Sequence, residues 1–186
     1  TGIDRARAAD VDIMNLSLGI ANSRIGVTCD SASSCETALG STMYSAMEAA
    51  GAAGKIMVWA AGNSSLADPS TWSGAAIYDD DFKETSVIVV ATASDGKIAS
   101  FSNRCGIASA ICIAAPGENL YTAKLNDNSE AAVVSGTSFA APMVSGGLAV
   151  IKQEFSSLTN AQVVDRLFAT ALDTGEYSQS SIYGHG

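Results

Sequence analysis

Ser138 is the residue whose type and position most clearly suggest chemistry. It lies in residues 135–142 (SGTSFAAP), where two small residues precede it at the start of a long apolar run. A hydroxyl at the start of a helix lies beside free backbone N–H groups and the positive end of the helix dipole. Such a position suits a serine nucleophile, because its tetrahedral intermediate carries an oxyanion that needs hydrogen-bond donors. On this segment alone, however, a simple N-cap role for Ser138 is favoured.

The segments before Ser138 alternate between strand and helix patterns. Residues 11–17 alternate apolar and polar side chains and run to Gly19, which predicts a strand followed by a turn. Apolar residues at helical spacing predict a helix over residues 36–53. Residues 56–61 are all apolar, which is typical of a parallel strand covered on both faces. Strand, helix and strand in this order form a βαβ unit, so we expect an α/β fold with a parallel sheet.

The rest of the chain continues this pattern after a long loop over residues 62–85. Further strands are predicted at residues 87–91 and, as shorter ones, near residues 98–101, 111–114 and 131–134. A helix is predicted from about residue 137 to 155; it is apolar almost all round, and we therefore expect it to be buried. A last helix begins at Thr159 or Asn160 and directs Val163, Val164, Leu167 and Phe168 inward.

The composition excludes two broad classes. With 10 basic and 19 acidic residues the net charge is −9, so the chain lacks the positive charge that a generic nucleic-acid binder needs. No apolar run approaches the length of a transmembrane helix. The 186 residues suffice for one domain with a sizeable core.

Four cysteines occur as two close pairs, Cys29/Cys35 and Cys105/Cys112. Neither pair has the two-residue gap of a zinc knuckle, and the single histidine, His185, does not complete a metal site. Four cysteines allow three pairings, and the short loops favour 29–35 and 105–112. Two such disulfides imply an oxidising compartment, whereas the alternative is four buried thiols.

Several segments, in the same order along the chain, resemble the subtilisin-like serine proteases. Residues 136–142 (GTSFAAP) resemble the nucleophile segment of that family, 12–19 (DIMNLSLG) its substrate-binding strand and 58–63 (VWAAGN) the turn that carries its oxyanion-hole asparagine. Further matching segments are residues 101–103 (FSN), 114–117 (AAPG) and 182–186 (IYGHG). The paired cysteines are most similar to the passenger domains of Gram-negative autotransporters.

The resemblance implies a serine endopeptidase that hydrolyses protein or peptide substrates through an acyl-enzyme on Ser138. Asn63 would share the oxyanion with the Ser138 backbone N–H. Ser17, Leu18 and Gly19 would pair with the substrate backbone as an added strand. Ala60, Ala61 and Gly62 would form the opposite wall of the S1 pocket. The implied fold is the three-layer α/β domain of the family, with a parallel sheet.

The base and the orienting acid of a catalytic triad are missing from this pattern. The family supplies them in the order Asp, His, Ser, whereas His185 follows Ser138 and is interpreted as an exposed turn residue. Residues 1–8 resemble the helix just before the substrate-binding strand, so residues 1–186 are expected to be a partial peptidase domain, truncated at both ends, with the Asp and His segments upstream. The chain by itself is then expected to be inactive, and to dimerise or swap segments.

The alternative is a pseudoprotease, a module that binds peptides without catalysis. Under either interpretation the disulfides and the resemblance imply secretion or a place on the cell surface of a bacterium. No cofactor or metal is required by the implied chemistry. Residues 79–81 (DDD) could supply oxygen ligands to calcium, although a solvated acidic loop is the favoured interpretation.

Overall fold

The fold is described here from a computed structural model that covers residues 1–19, 26, 29–124 and 127–186. Its strands are β1 (Ile13–Leu16), β2 (Ile56–Ala60), β3 (Ser86–Thr92), β4 (Cys112–Pro116), β5 (Leu120–Lys124) and β6 (Asp127–Val134). Its α-helices are α1 (Gly2–Ala8), α2 (Ala32–Leu39), α3 (Ser41–Ala52), α4 (Thr71–Gly74), α5 (Asp80–Lys83), α6 (Thr137–Glu154), α7 (Asn160–Ala169) and α8 (Ser180–Tyr183). Short 3₁₀ helices cover Ala75–Tyr78, Gly106–Ile111 and Gly175–Ser178.

The first four strands form one parallel sheet in the order β1-β2-β3-β4. Every residue of β2 and β3 is buried, as expected for parallel strands covered on both faces. Successive side chains point to opposite faces, so Val58 packs into one hydrophobic cluster and its neighbour Trp59 into the other. The sheet therefore separates two cores.

Helices cover both faces of this sheet. Met47 and Ala50 of α3 pack into the same cluster as Trp59, whereas Ala141 and Leu148 of α6 pack into the cluster of Val58 together with residues of α7. The predicted three-layer α/β architecture is thus confirmed.

The two predicted disulfides are present. Cys29 is bonded to Cys35 and Cys105 to Cys112, and all four cysteines are fully buried.

Among the residues that the structure describes, none of the helices combines the length and apolar character that crossing a bilayer demands.

Two helix predictions need correction. The helix predicted over residues 36–53 is split into α2 and α3 by Gly40, whose φ of 84° an uninterrupted α-helix cannot accommodate. The helix predicted from residue 137 is buried on one side only. Met143 is 49% exposed and Val150 66% exposed on its outer side, because no described element packs there.

The strands after β3 also differ from the prediction. Around residues 98–101 only an isolated bridge between Ile98 and Thr92 is present. Residues 131–134 belong to β6, which pairs with β5 in an antiparallel hairpin beside the main sheet. Strand β5 was not predicted because most of its residues are exposed and lack the pattern of a half-buried strand.

Candidate active site

A cavity of about 270 Å³ lies at the carboxyl ends of β1 and β2, beside the start of α6. Parallel α/β sheets bind ligands at this edge. Its lining residues are Ser17, Leu18, Gly19, Ala60, Gly62, Asn63, Ser64, Ser70, Asn103, Thr137 and Ser138. Seven of the eight residues assigned to catalysis and substrate binding from the sequence therefore meet in one place. None of the described residues that line this cavity carries a charge.

Ser138 is half-buried and is the second residue of α6. Backbone N–H groups in the first turn of a helix have no acceptor within the helix, so that of Ser138 is available to an anion in the cavity. Its carbonyl oxygen accepts a 2.8 Å hydrogen bond from the Ser17 hydroxyl. This bond joins the end of β1 to the residue proposed as nucleophile.

The Asn63 side chain is oriented by Thr137. Both the backbone N–H and the hydroxyl of Thr137 donate to Asn63 Oδ1, each at 2.9 Å. Because a backbone N–H can only donate, the atom that faces it must be the amide oxygen. The Nδ2 group of Asn63 is therefore directed away from Thr137. The Thr137 hydroxyl in turn accepts a 3.2 Å hydrogen bond from the Gly62 N–H.

Gly136 lies beside the Phe139 side chain and two nitrogen donors of the cavity. The position that a Cβ atom on Gly136 would occupy lies 3.7 Å from Asn63 Nδ2 and also 3.7 Å from the Ser138 backbone nitrogen. Two nitrogen donors thus lie close to one another beside Gly136, and both of their residues line the cavity. A tetrahedral acyl-transfer intermediate needs this arrangement for its oxyanion.

The two predicted substrate-binding segments flank the cavity. Residues 17–19 continue beyond the end of β1; Leu18 is 46% exposed, and no backbone hydrogen bond ties them to another described segment. Across the cavity, Ala60 and Gly62 contribute to the wall, but Ala61 does not. Ala61 is fully buried, and its carbonyl accepts hydrogen bonds from the Ser70 N–H and the Asn103 side chain. Its effect on the cavity is indirect, through the shape of the loop.

His185 lies away from Ser138. Its ring stacks on Phe168 at a centroid distance of 4.2 Å, and its Nε2 lies 3.0 Å from the Ala110 carbonyl. Its backbone N–H donates to the carbonyl of Cys112, the first residue of β4, at the end of the strand opposite to the cavity. No histidine or carboxylate is found among the described residues that line the cavity.

The acidic segment at residues 79–81 is used for structure. Asp79 caps α5 by accepting a 2.9 Å hydrogen bond from the Asp81 N–H, and it accepts a second one, at 2.6 Å, from the Tyr44 hydroxyl. Burial, together with this bond to Asp79, raises the pKa of Tyr44. Within the described ranges, no group of three or more His, Cys, Asp or Glu side chains is arranged to hold a metal ion.

Sequence reasoning did not identify four of the residues that line the cavity: Ser64, Ser70, Asn103 and Thr137. Thr137 and Asn103 lie in segments that resemble the family, but the resemblance assigned no role to them. Ser70 lies in the long loop after residue 62, where no periodic pattern marks it. Its N–H reaches Ala61 only because that loop folds back on itself.

The cavity thus combines a serine at the start of a helix with an asparagine amide that Thr137 orients, at the edge where parallel α/β sheets bind ligands. The chain belongs to the subtilase family, peptidase family S8, whose family model matches residues 1–186.

Curated relatives include both subtilisins and autotransporter proteins. The chain is 35% identical over 136 residues to serotype-specific antigen 1 of Mannheimia haemolytica, covering 70% of this chain and 15% of that protein. It is 32% identical over 188 residues to subtilisin DY of Bacillus licheniformis, covering 100% of this chain and 58% of that protein. It is 26% identical over 146 residues to the neisserial autotransporter lipoprotein NalP of Neisseria meningitidis, covering 70% of this chain and 13% of that protein. The chain thus spans little more than half the length of the subtilisin and less than a sixth of the length of the other two relatives.

Among solved structures, the fold is similar to that of the patellamide maturation protease PatA. The two are 26% identical with a TM-score of 0.70, over 100% of this chain and 62% of that one. The similarity extends over the whole of the present chain, so the sheet and the helices that position the cavity belong to the family fold.

Proposed function

We propose that this chain forms the nucleophile and substrate-binding part of a serine endopeptidase. The observation that carries the proposal is the proximity of Asn63 Nδ2 and the Ser138 backbone nitrogen, each 3.7 Å from the position that a Cβ on Gly136 would occupy. Hydrogen bonds from Thr137 fix the direction of the Asn63 amide. Such donors stabilise charge that develops only in the transition state, which is the most effective use of binding energy in catalysis.

In the proposed reaction, the Ser138 Oγ attacks the carbonyl carbon of the scissile peptide bond and transfers its proton to a base. The oxyanion that forms is held by Asn63 Nδ2 and the Ser138 N–H. The protonated base then gives its proton to the leaving amine, the C–N bond breaks, and an acyl-enzyme ester remains. Water, deprotonated by the same base, hydrolyses that ester and frees Ser138. Every participant is a protein group, a peptide or water, so the scheme requires no cofactor.

The base and its orienting acid are proposed to come from a segment upstream of Thr1. Support comes from the lack of a histidine or a carboxylate among the described lining residues and from the small share of the relatives that the chain spans. We call this chain together with that segment the complete peptidase. The present chain alone is expected to be almost inactive, because a serine without a base is a weak nucleophile.

The outer side of β1 and α6 is the surface that the upstream segment is proposed to cover. Strand β1 is an edge strand of the sheet, and an apolar groove lined by Ile3, Ala6, Val11 and Ile13 among others runs along it. On the other face of the sheet, Met143 and Val150 of α6 are also exposed. Without the segment, we expect the chain to cover the surface by dimerisation or by exchange of a segment between copies.

Secretion or a cell-surface location in a bacterium is proposed from the relatives and the cysteines. One relative is named an autotransporter lipoprotein. Both disulfides are intact, and all four cysteines take part in them, which is typical of proteins in oxidising compartments. Proteins and peptides are the proposed substrates. Calcium binding at residues 79–81 stays the less favoured interpretation of that segment and is not part of the scheme.

A second candidate function is peptide binding without catalysis. It is favoured by the lack of any described histidine near Ser138 and by the exposed backbone of residues 17–19, which could pair with a peptide. The convergent donors weigh against it, because peptide binding alone requires no oxyanion hole.

Labelling with a fluorophosphonate tests both candidates. The complete peptidase, the present chain and a Ser138→Ala variant of each would be treated with the probe and examined by intact mass. We expect the probe on the complete peptidase only, and none on either alanine variant. An unlabelled complete peptidase that still binds peptides would support the pseudoprotease. Labelling of the present chain would show that a base within it activates Ser138, contrary to the proposal.

A further inference from the structure

We infer that Asn103 is a positioning residue for the oxyanion-hole loop, residues 61–66, which carries Asn63. The inference rests on the proposed function, since it assigns Asn103 a part in the reaction at that same site. Asn103 belongs to the sequence segment 101–103 (FSN), 40 residues beyond Asn63 in the chain. Both polar atoms of its side chain are bonded to the backbone of this loop, and its role is therefore one of positioning.

The Asn103 side chain bonds to the backbone on both sides of Asn63. Its Oδ1 accepts hydrogen bonds from the N–H groups of Ser64, at 3.0 Å, and Leu66, at 3.1 Å. Its Nδ2 donates to the carbonyl of Ala61 at 3.0 Å. One side chain thus holds the loop before and after the residue that donates to the oxyanion.

The backbone of Asn103 is itself anchored to the sheet. Its N–H donates to the Gly62 carbonyl at 2.9 Å. Its carbonyl accepts a 2.8 Å bond from the Ser102 hydroxyl, and that hydroxyl accepts from the N–H of Ala91 in β3 at 3.0 Å. These bonds connect the loop to a fully buried strand. Asn103 is only 1% exposed, so little water is available to replace a lost bond.

Asn103→Ala is expected to lower the catalytic rate, because it lets the Asn63 side chain move from its position beside Ser138. Loss of the three side-chain bonds lets residues 61–66 relax, and Asn63 moves with them. A misplacement of a catalytic group by about 1 Å costs on the order of 10²-fold in rate. The oxyanion is present in the transition state and not in the bound substrate, so the main loss is expected in kcat. A smaller rise in KM is expected as well, because Gly62 of the same loop lines the substrate cavity.

The experiment compares Asn103→Ala with Asn160→Ala in the complete peptidase. Asn160 is a matched control, because its side chain also bridges separate segments, through Gly54 at 2.8 Å and Lys152 at 2.7 Å, but lies outside the cavity. With a chromogenic peptide substrate, Asn103→Ala is expected to lower kcat by about 10–100-fold, and Asn160→Ala to leave kcat unchanged. Both are measured well below their melting temperatures.

An Asn103→Asp variant gives a second readout that a merely structural role would not produce. When the new carboxyl is protonated, it can accept from the two N–H groups and donate to the Ala61 carbonyl. When it is ionised, it cannot donate and places a negative charge against that oxygen. The kcat of this variant, divided by that of the wild type at each pH, should therefore fall as pH rises through the titration of the new carboxyl.

Hydrogen exchange keeps the two proposals distinguishable. If the wild type hydrolyses the substrate and Asn103→Ala retains its kcat, the inference is wrong and the proposed function stands. If the wild type shows no hydrolysis, the proposed function is wrong, and amide exchange over residues 61–66 decides the positioning role. Faster exchange there in Asn103→Ala, but not in Asn160→Ala, supports it; unchanged exchange overturns it.

Discussion

The Ser17 side chain supplies a hydrogen bond that replaces one missing from helix α6. Its hydroxyl donates to the Ser138 carbonyl oxygen at 2.8 Å. In a regular helix that oxygen would accept from the N–H of residue 142, but Pro142 has no N–H to donate. The segment proposed to bind substrate thereby satisfies a backbone group of the candidate nucleophile, and a change at Ser17 is expected to affect Ser138 directly.

A double-mutant cycle tests this coupling. Ser17→Ala should cost about 0.5–1.5 kcal/mol in the free energy of unfolding, the usual value for one hydrogen bond. In a Pro142→Ala background the restored N–H can bond to Ser138, so the same change should cost clearly less. Urea unfolding of the four proteins measures the coupling. Equal costs in both backgrounds would show that the Ser17 bond does not compensate for the proline.

Loss of the Asn63 amide should reduce catalysis strongly. In subtilisin, a member of the same family, removal of one oxyanion-hole donor lowers kcat on the order of 10²–10³-fold, and we expect a similar loss for Asn63→Leu in the complete peptidase. KM should change little, because the ground-state carbonyl does not depend on this donor. Steady-state kinetics on a peptide substrate measure both constants. A large rise in KM with kcat retained would assign Asn63 to substrate binding instead.

Thr137 should matter through its hydroxyl. Thr137→Val preserves the shape of this fully buried side chain but removes the donor to Asn63 and the acceptor for the Gly62 N–H. The unpaired amide should cost about 1–3 kcal/mol of stability, and kcat should fall because the Asn63 amide is less firmly oriented. Thr137→Ser retains the hydroxyl and is the control. If Val and Ser variants have the same kcat, the hydroxyl does not orient Asn63.

Gly146 reports on whether another segment covers α6. A Cβ at this position would meet nothing within 4 Å in the present chain. Gly146→Ala should therefore stabilise this chain by about 0.5–1 kcal/mol through helix propensity. In the complete peptidase the added methyl should instead meet the upstream segment, and the gain should vanish or reverse. Thermal unfolding of both forms provides the comparison. The same gain in both would mean that the outer side of α6 stays open.

Glu48 should make stability depend on pH. Its pKa is raised first by burial and then by the negative charges of Asp79, Asp81 and Glu36. A carboxyl with a raised pKa in the folded state takes up protons on folding, so stability falls as pH rises through its titration. Glu48→Gln should stabilise the protein at neutral pH, by less than about 1 kcal/mol given solvent screening.

The benefit of Glu48→Gln should disappear below the ordinary pKa of glutamate, where the carboxyl is protonated in both the folded and the unfolded state. Thermal melts of wild type and variant across this range test the sign. An equal gain at all pH values would attribute the effect to packing and not to charge.

Local patterns in the sequence determined the buried strands and the main helices. The wholly apolar residues 56–61 predict β2, and the N-cap at Thr159 predicts the start of α7; both signals are carried by neighbouring residues, and the structure contains both elements. The short spacing of the cysteines likewise identified both disulfides. Gly40 separates α2 from α3, but the apolar residues on both sides of it keep helical spacing. This pattern therefore predicted one continuous helix.

The sequence also selected Ser138 and Asn63 as candidate site residues, because the segments around them resemble a known family. It did not show which atoms of Asn63 face Thr137, that Ala61 is buried beneath the cavity, or that Asn103 holds the loop. Each of these depends on hydrogen bonds between segments tens of residues apart in the chain. Sequence periodicity reflects how a segment packs against a core, whereas the direction of a donor is decided only when distant loops meet in the folded protein.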